Sequence, residues 1–406
     1  MRILVQKFGG TSVATAESRQ CVVEKISNAI DEGFQPVVVV SAMGRKGEPY
    51  ATDTLIGVAR EPNTLVARRE LDMMMCCGEI ISDAVMASTL QGAGLDALLL
   101  TGGQAGIITD DQYGNARILK VDPARIRTTL STGRIPVICG FQGITVDGDL
   151  TTLGRGGSDT TASALGAALQ AEAIEIYTDV DGIMTADPRL VPHAHILDKI
   201  SYAEVSQLAH QGAKVIHPRA VEFAMQKNIP LIVKSTFSNA PGTLITSQTN
   251  IADIGETQIS DRVATGVTYV RHITQITVQS CDAGQRLDSS RIFKILAACG
   301  INVDFINILP GQVLFTVQDD DRATAQQQLA AAGYHLDVVM NCAKVSVVGG
   351  GMGDVPGVMA GFVDALADRD IPLLQTVDSQ TSISGLIDGN YMEAAVSALH
   401  SQFGLD

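Results

Sequence analysis

Over its first 245 residues the chain alternates short aliphatic runs with helical stretches, and this alternation limits the fold more than any other feature. The runs are Ile3–Lys7, Val37–Ser41, Ala97–Thr101, Pro136–Gly140, Ile174–Thr178 and Leu231–Lys234. Strand and helix in alternation predict a mostly parallel sheet flanked by helices, because parallel neighbours need a crossover between them. The runs are continuously apolar, so the strands should be covered on both faces. In sheets of this kind ligands bind beyond the carboxyl ends of the strands. The conspicuous loop sequences sit there: Gly9-Gly10 after the first strand, Ser41-Ala42-Met43-Gly44 after the second, and Thr178-Asp179-Val180-Asp181-Gly182 after a later one.

A connector rich in Ser, Thr, Asn and Gly, Ser235 to Asp261, separates this region from an internal repeat. A shift of 70 residues, without a gap, aligns Thr277-Val278 with Val347-Val348, Leu296-Ala297 with Leu366-Ala367, and Leu329 with Leu399. Each copy reads strand, helix, strand, strand, helix, the ferredoxin-like βαββαβ pattern. The chain therefore divides into three expected domains, residues 1–245, 262–342 and 343–406. At 406 residues it is long enough for two or three separate cores.

Composition excludes several function classes. The 29 Lys+Arg against 44 Asp+Glu give a formal charge of −15, which argues against a nucleic-acid or anionic-membrane partner. Any anion must then be held by a few basic residues, and Lys7, Arg155, Arg189 and Lys214 lie within or beside the loop motifs. The N-terminus has no signal-peptide sections, and no run approaches the roughly 20 apolar residues of a spanning helix. Seven scattered cysteines form no Cys-x-x-Cys pair, so we expect reduced, mostly buried thiols, no metal site and a cytoplasmic protein.

Four constellations carry chemistry. Lys7-Phe8-Gly9-Gly10-Thr11-Ser12 ends a strand in two glycines, with Thr11 or Ser12 available to cap the next helix. Free N–H groups and a lysine there suit phosphate, although the spacing is not that of a Walker A loop. Thr152-Leu153-Gly154-Arg155-Gly156-Gly157-Ser158-Asp159 leaves one guanidinium accessible between glycines, shaped for a carboxylate or phosphate. Its plainer reading is a flexible loop with Ser158 or Asp159 as helix N-cap. Tyr177 to Arg189 and Gln211 to Ala220 each set a basic group on a turn; both could equally be surface loops. Thr52-Asp53 and Gly78-Glu79 are weaker signals, a helix Glu being commonly solvated.

Taken together and in order, these segments resemble the aspartate kinases, over essentially the whole chain. With them go Ser41-Ala42-Met43-Gly44, Ala186-Asp187-Pro188-Arg189 and Gly212-Ala213-Lys214-Val215-Ile216-His217-Pro218-Arg219-Ala220. The resemblance implies an α/β amino-acid-kinase fold followed by two ferredoxin-like ACT domains. It implies transfer of the γ-phosphoryl of ATP, with Mg²⁺, to the β-carboxylate of L-aspartate, an early step of lysine, diaminopimelate, threonine and methionine synthesis. By that resemblance Lys7 sits on the transferring phosphoryl and Lys214 neutralises charge opposite. Arg155 clamps the substrate α-carboxylate and Glu79 receives its α-ammonium. Ser41, Thr52, Ser158 and Asp159 complete the aspartate pocket. Phe8, Gly9, Gly10, Thr11, Thr178, Asp179, Asp187 and Arg189 lie along the nucleotide.

The resemblance also implies a homodimer or larger assembly through the ACT domains. Ser41 to Gly47, Tyr50 to Asp53 and Ile371 to Gln375 look most like the diaminopimelate-sensitive bacterial isozyme, which makes meso-diaminopimelate the expected effector ahead of lysine or threonine. The chain departs from the family at Met184, where a tyrosine is common near the nucleotide. It departs again at Ser280 to Arg286, which lacks the Asp-x-Pro-Gly turn; Val355-Pro356-Gly357 keeps a similar one. Two other readings stand beside this one: an amino-acid kinase of the N-acetylglutamate type, and an amino-acid sensor attached to an inactive kinase. A blocked amino group would leave Glu79 no ammonium to meet, and a decayed kinase need not keep its basic residues.

Overall fold

A computed structural model describes residues 1–213, 215–247, 263–279, 287–352 and 355–406. They form two compact units, residues 1–183, 196–209 and 214–259, and residues 184–195, 210–213 and 260–406. Residues 184–195 and 210–213 thus depart from the expected single segment 1–245. The cause is backbone pairing: the Val267 N–H donates to Thr185 O at 2.7 Å, and the Tyr269 hydroxyl donates to Asp187 Oδ2 at 2.9 Å.

In the first unit the strands are β1 (Ile3–Phe8), β2 (Gln35–Val40), β3 (Ala97–Leu100), β4 (Ile107–Thr109), β5 (Ile118–Val121), β6 (Ile135–Cys139), β7 (Gln142–Ile144), β8 (Leu150–Thr152), β9 (Ala173–Thr178), β10 (Lys199–Ser201), β11 (Leu231–Ser235) and β12 (Thr243–Thr246). The helices are α1 (Gly10–Val13), α2 (Ala16–Asp31), α3 (Thr52–Arg60), α4 (Arg68–Gly92), α5 (Ala124–Ser131), α6 (Gly157–Leu169), α7 (Tyr202–His210) and α8 (Pro218–Lys227). All six expected strands are present. They lie in an eight-stranded sheet of order β10-β12-β11-β9-β1-β2-β6-β3, whose one antiparallel pair is β11 with β12. A second sheet, β5-β4-β7-β8, was not anticipated, its strands being too short to show a period.

Both faces of the large sheet are covered. On one, Phe8, Val38, Val40 and Val137 pack with Val22 and Ile26 of α2 and Met86 and Leu90 of α4. On the other, α6, made almost wholly of small residues, lies close against Val5 and Ile174. Phe8 also stacks on Tyr177 of the neighbouring strand, with centroids 4.7 Å apart and planes 13° apart. Burying such a ring stabilises by roughly 1.5–3 kcal/mol, and the stack adds to that.

Helix α4, of 25 residues, is the longest of the described helices. By length and composition it could cross a membrane. Yet it buries Asp72, Glu79 and Asp83 along with its apolar residues and packs on β2, β3, β6 and β8, as a core helix does. The thiols are also less buried than expected: Cys76, Cys139 and Cys342 are buried, whereas Cys77 and Cys299 are exposed.

The second unit holds β13 (Gly266–Gln279), α9 (Ser289–Ala298), β14 (Asp304–Leu309), β15 (Gln312–Gln318), α10 (Asp319–Ala331), β16 (His335–Val348), α11 (Val358–Ala367), β17 (Gln375–Asp378), β18 (Ser382–Asp388) and α12 (Met392–Gln402). Its strands form one sheet, β14-β15-β13-β16-β18-β17. Two modules share its two central strands, each of 14 residues. Residues 273–279 of β13 pair with β15 and with the start of β16; residues 266–270 pair with the end of β16, which in turn pairs with β18. The first module closes its βαββαβ unit with residues 335–341 of β16, whereas the second runs from the end of β16 only to α12 and lacks that last strand. The second obtains it from upstream, as residues 266–270, so a boundary at 342/343 cuts through β16. The register shifts between Val270 and Gln275, and both His272 and Asn341 are left-handed there (φ 60° and 56°), a bulge that marks the junction. Separate cores result: Ile276, Phe315 and Leu329 in the first module, Val347, Phe362 and Leu399 in the second. Ser280 to Arg286, where the Asp-x-Pro-Gly turn is missing, lie outside the described residues.

Candidate active site

The glycine loop after β1 is fixed by its neighbours. The Gly9 N–H donates to Tyr177 O at 3.3 Å, and Gly9 is the N-cap of the one-turn helix α1, without a side-chain cap. Thr11 and Ser12 therefore do not cap: both lie within α1, and the buried Ser12 hydroxyl meets Thr236 Oγ1 at 2.7 Å. Thr15 caps α2, accepting from the Ser18 N–H at 3.1 Å. A Cβ on Gly10 would stand 2.5 Å from Ala42 O, and the Gly44 N–H donates to Gly10 O at 3.2 Å. Only glycine lets these two loops interlock. Phe8, expected along the nucleotide, is fully buried in the core, and its carbonyl accepts the Ser41 N–H at 3.1 Å. Its side chain serves packing.

The Arg155 loop is anchored where it leaves β8. Buried Asp72 accepts the Thr152 N–H at 2.7 Å and its hydroxyl at 2.9 Å, and Arg219 donates to Leu153 O at 3.0 Å. Gly156 is left-handed, and a Cβ on it would meet His217 Cβ at 2.3 Å. It is this glycine that caps α6, so Ser158 and Asp159 sit in the first turn and do not act as N-cap. Asp159 Oδ1 stands 2.7 Å from Lys7 Nζ. Arg155 is exposed and forms no ion pair among the described residues.

These elements enclose a cleft of about 250 Å³ at the carboxyl ends of β1, β2 and β6, where the strand pattern predicts a site. It gathers Lys7, Ser41, Thr52, Glu79, Arg155, Ser158 and Asp159, residues spread over some 150 positions of sequence. Glu79 is buried, not solvated, and burial pushes its carboxyl well above the usual range, opposed by the Ala42 N–H and the Lys7 charge. Phe141 also lines the cleft and was missed. It follows β6 in a left-handed conformation (φ 67°), with its N–H donating to Thr161 Oγ1 at 3.1 Å. Gly140-Phe141 closing a strand is the signal that could have found it.

On the expected nucleotide side, Thr178 ends β9 next to the glycine loop, and its hydroxyl donates to Asp179 Oδ1 at 3.2 Å. Arg45, also unanticipated, holds Asp179 Oδ2 at 3.2 Å. Asp187 and Arg189 belong to the second unit and do not line the cleft. They bind each other in a forked pair at 2.9 and 2.6 Å, which lowers the Asp187 carboxyl to about 2. Lys214 lies outside the described residues.

An eight-stranded, mostly parallel sheet with a lysine and an arginine loop at one cleft, followed by paired βαββαβ modules, defines an amino-acid kinase with a regulatory tail. Residues 2–235 match the model of the amino acid kinase family, and residues 337–401 that of the ACT domain. Aspartokinase 1 of Bacillus subtilis (strain 168) is 48% identical over 405 residues, covering 100% of both chains. E. coli aspartokinase III solved with aspartate and ADP (R-state) is 26% identical, covers 99% of each chain and has a TM-score of 0.77. The same enzyme with lysine and aspartate (T-state) is 25% identical, with 99% coverage of each chain and a TM-score of 0.76. The chain belongs to the aspartokinase family, and it is an enzyme that uses ATP.

Proposed function

We propose that the cleft binds L-aspartate and MgATP and transfers the γ-phosphoryl group to the β-carboxylate, giving 4-phospho-L-aspartate and ADP. The observation that carries this reading is the convergence of Lys7, Arg155 and Glu79 on one small cavity. Glu79 meets the α-ammonium, Arg155 the α-carboxylate, and Ser41, Thr52, Ser158 and Asp159 fill the space between. The β-carboxylate is already ionised near pH 7, so attack on phosphorus needs no general base. One carboxylate oxygen forms the new P–O bond as the bond to the ADP oxygen breaks. Catalysis is then positioning and charge neutralisation. Lys7 serves the transferring phosphoryl and Lys214 the charge opposite. Gly9, Gly10 and Thr11 run along the phosphates with Phe8 behind them, and Thr178 and Asp179 attend the nucleotide. Two cations beside a chain of net charge −15 supply the local field the substrates require.

The kinase acts in the cytoplasm, as a homodimer or larger assembly, under feedback through residues 262–342 and 343–406. Its effector is meso-diaminopimelate, in preference to lysine or threonine. Trapping the acyl phosphate with hydroxylamine tests substrate and effector together. Aspartate should yield hydroxamate, whereas glutamate and N-acetylglutamate should not, and diaminopimelate should suppress the signal. Hydroxamate from N-acetylglutamate alone would overturn the assignment.

A further inference from the structure

Helix α4 carries a second acid one turn beyond Glu79. Asp83 is fully buried, and among the described residues no N–H or O–H reaches either of its carboxylate oxygens, the Cys139 thiol being the one weak donor beside it; Glu79 Oε2 likewise has no partner. Asp72, buried on the same helix, shows the contrast, since it accepts hydrogen bonds from Thr152 and Gly114. Residues four apart on a helix have Cβ atoms about 5–6 Å apart, so Asp83 stacks behind Glu79, which itself lines the cleft. Orphaned buried acceptors are rare, and two ionised carboxylates so close in a dry core are costly. A single proton on the pair relieves both problems.

The surroundings decide which acid holds it. Glu79 has the Ala42 N–H and the Lys7 charge to favour its ionised form. Asp83 faces Glu79 on its own helix and the Cys139 thiol of β6, a weak donor, with Cys76 beyond Cys139. The other elements packed on α4 offer it no titratable group. Strands β2, β3 and β8 contain none; α2 meets α4 through Val22 and Ile26, and α3 reaches it with Leu55 at Gly78.

We propose that Asp83 is a positioning residue of the aspartate site, a neutral acid whose O–H holds the Glu79 carboxylate in place for the substrate ammonium. The resting pair carries one proton, on Asp83, and one negative charge, on Glu79. Binding of the ammonium neither takes up nor releases a proton. Raising the pH strips Asp83, sets a second charge against Glu79 and removes the O–H that positions it, so the KM for aspartate rises on the alkaline side.

This inference rests on the aspartate reading of the cleft, and the two fail differently. The experiment is the pH dependence of kcat and of KM for L-aspartate in the full-length enzyme and in Asp83→Asn and Asp83→Leu. Asp83→Leu should raise the KM for aspartate by about 10-fold or more, with kcat and the KM for ATP changing far less. Asp83→Asn, whose amide supplies an N–H donor, should keep the neutral-pH KM within about 3-fold and lose the alkaline rise. Unchanged KM in Asp83→Leu, or superimposable profiles for wild type and Asp83→Asn, overturns the proposal. If Asp83→Leu does not fold, the Asp83→Asn profile decides alone. An enzyme that forms no acyl phosphate from aspartate sinks the reading of the cleft itself.

Discussion

Lys7 Nζ lies 2.7 Å from Asp159 Oδ1, a contact that joins the end of the central strand to the first turn of α6 across the floor of the cleft. The two side chains are only 12% and 13% exposed, so the pair is well shielded from screening water. The ion pair holds the Lys7 ammonium at the cleft that Lys7 and Asp159 both line. Lys7→Ala should lower kcat by on the order of 10² or more, the loss typical when one preorganised charge-stabilising group is removed. Near-normal turnover in that variant would remove Lys7 from the mechanism.

Among the described residues Arg155 forms no ion pair that must break before it meets a substrate carboxylate. Arg155→Ala should therefore weaken kcat/KM for aspartate by roughly 2–5 kcal/mol, since a desolvated carboxylate is left unpaired. Steady-state kinetics with aspartate as the varied substrate measure it. An unchanged value would assign the guanidinium to solvent.

The interlock of the two glycine loops makes its own prediction. Gly10→Ala would force a methyl to within 2.5 Å of Ala42 O and push apart the loops that carry Lys7 and Ser41. Turnover should fall while the secondary structure remains, and far-ultraviolet circular dichroism alongside the assay separates the two. Full activity would mean that the loops part at no cost.

In the second unit, Arg189 and Tyr269 hold Asp187 at about 2, below the roughly 3.9 of an unfolded chain. A depressed carboxyl contributes stability that is present above the unfolded value and lost as pH falls through the folded one. Asp187→Asn should cost roughly 1–2 kcal/mol near neutral pH, the bare shift being discounted because Arg189 is largely exposed. The difference should vanish toward pH 2. Denaturant melts at both extremes check it, and a constant difference would show that the loss is not electrostatic.

Buried Asp83 acts in the opposite sense. Burial and the neighbouring Glu79 raise its carboxyl, so the folded chain binds a proton that the unfolded one releases. Its contribution is full below the ordinary carboxylate range and declines as pH rises through the elevated folded value. Asp83→Asn should flatten that decline in pH-dependent melts, and an identical slope would mean that Asp83 does not titrate there.

The sheet was legible because continuous aliphatic runs ending in Gly-Gly or Thr-Asp admit few other readings, and part of the cleft because Lys7 and Ser41 end two of those same runs. What escaped was set by contacts distant in sequence. Asp83 sits on a helix whose pattern suits a solvated acid as well as a buried one. Phe141 lines the cleft only because β6 ends beside α6. Capping by Gly9 and Gly156 in place of their polar neighbours depends on how close Ala42 and His217 come. The repeat gave the number of modules, but its pattern does not say that residues 266–270, upstream of both copies' helices, close the second one.

The strand exchange between the two modules bears on how such a tail can be inherited. A duplication leaves copies that can be deleted singly, as the 70-residue periodicity suggests. Here residues 266–270 complete the downstream copy, so deleting the upstream copy at its sequence boundary strips a strand from the other, and deleting the downstream copy leaves residues 266–270 without the strand they pair with. Natural variants of this chain should gain or lose the pair as one block, and gene fusions that respect only the periodicity will produce an open sheet edge.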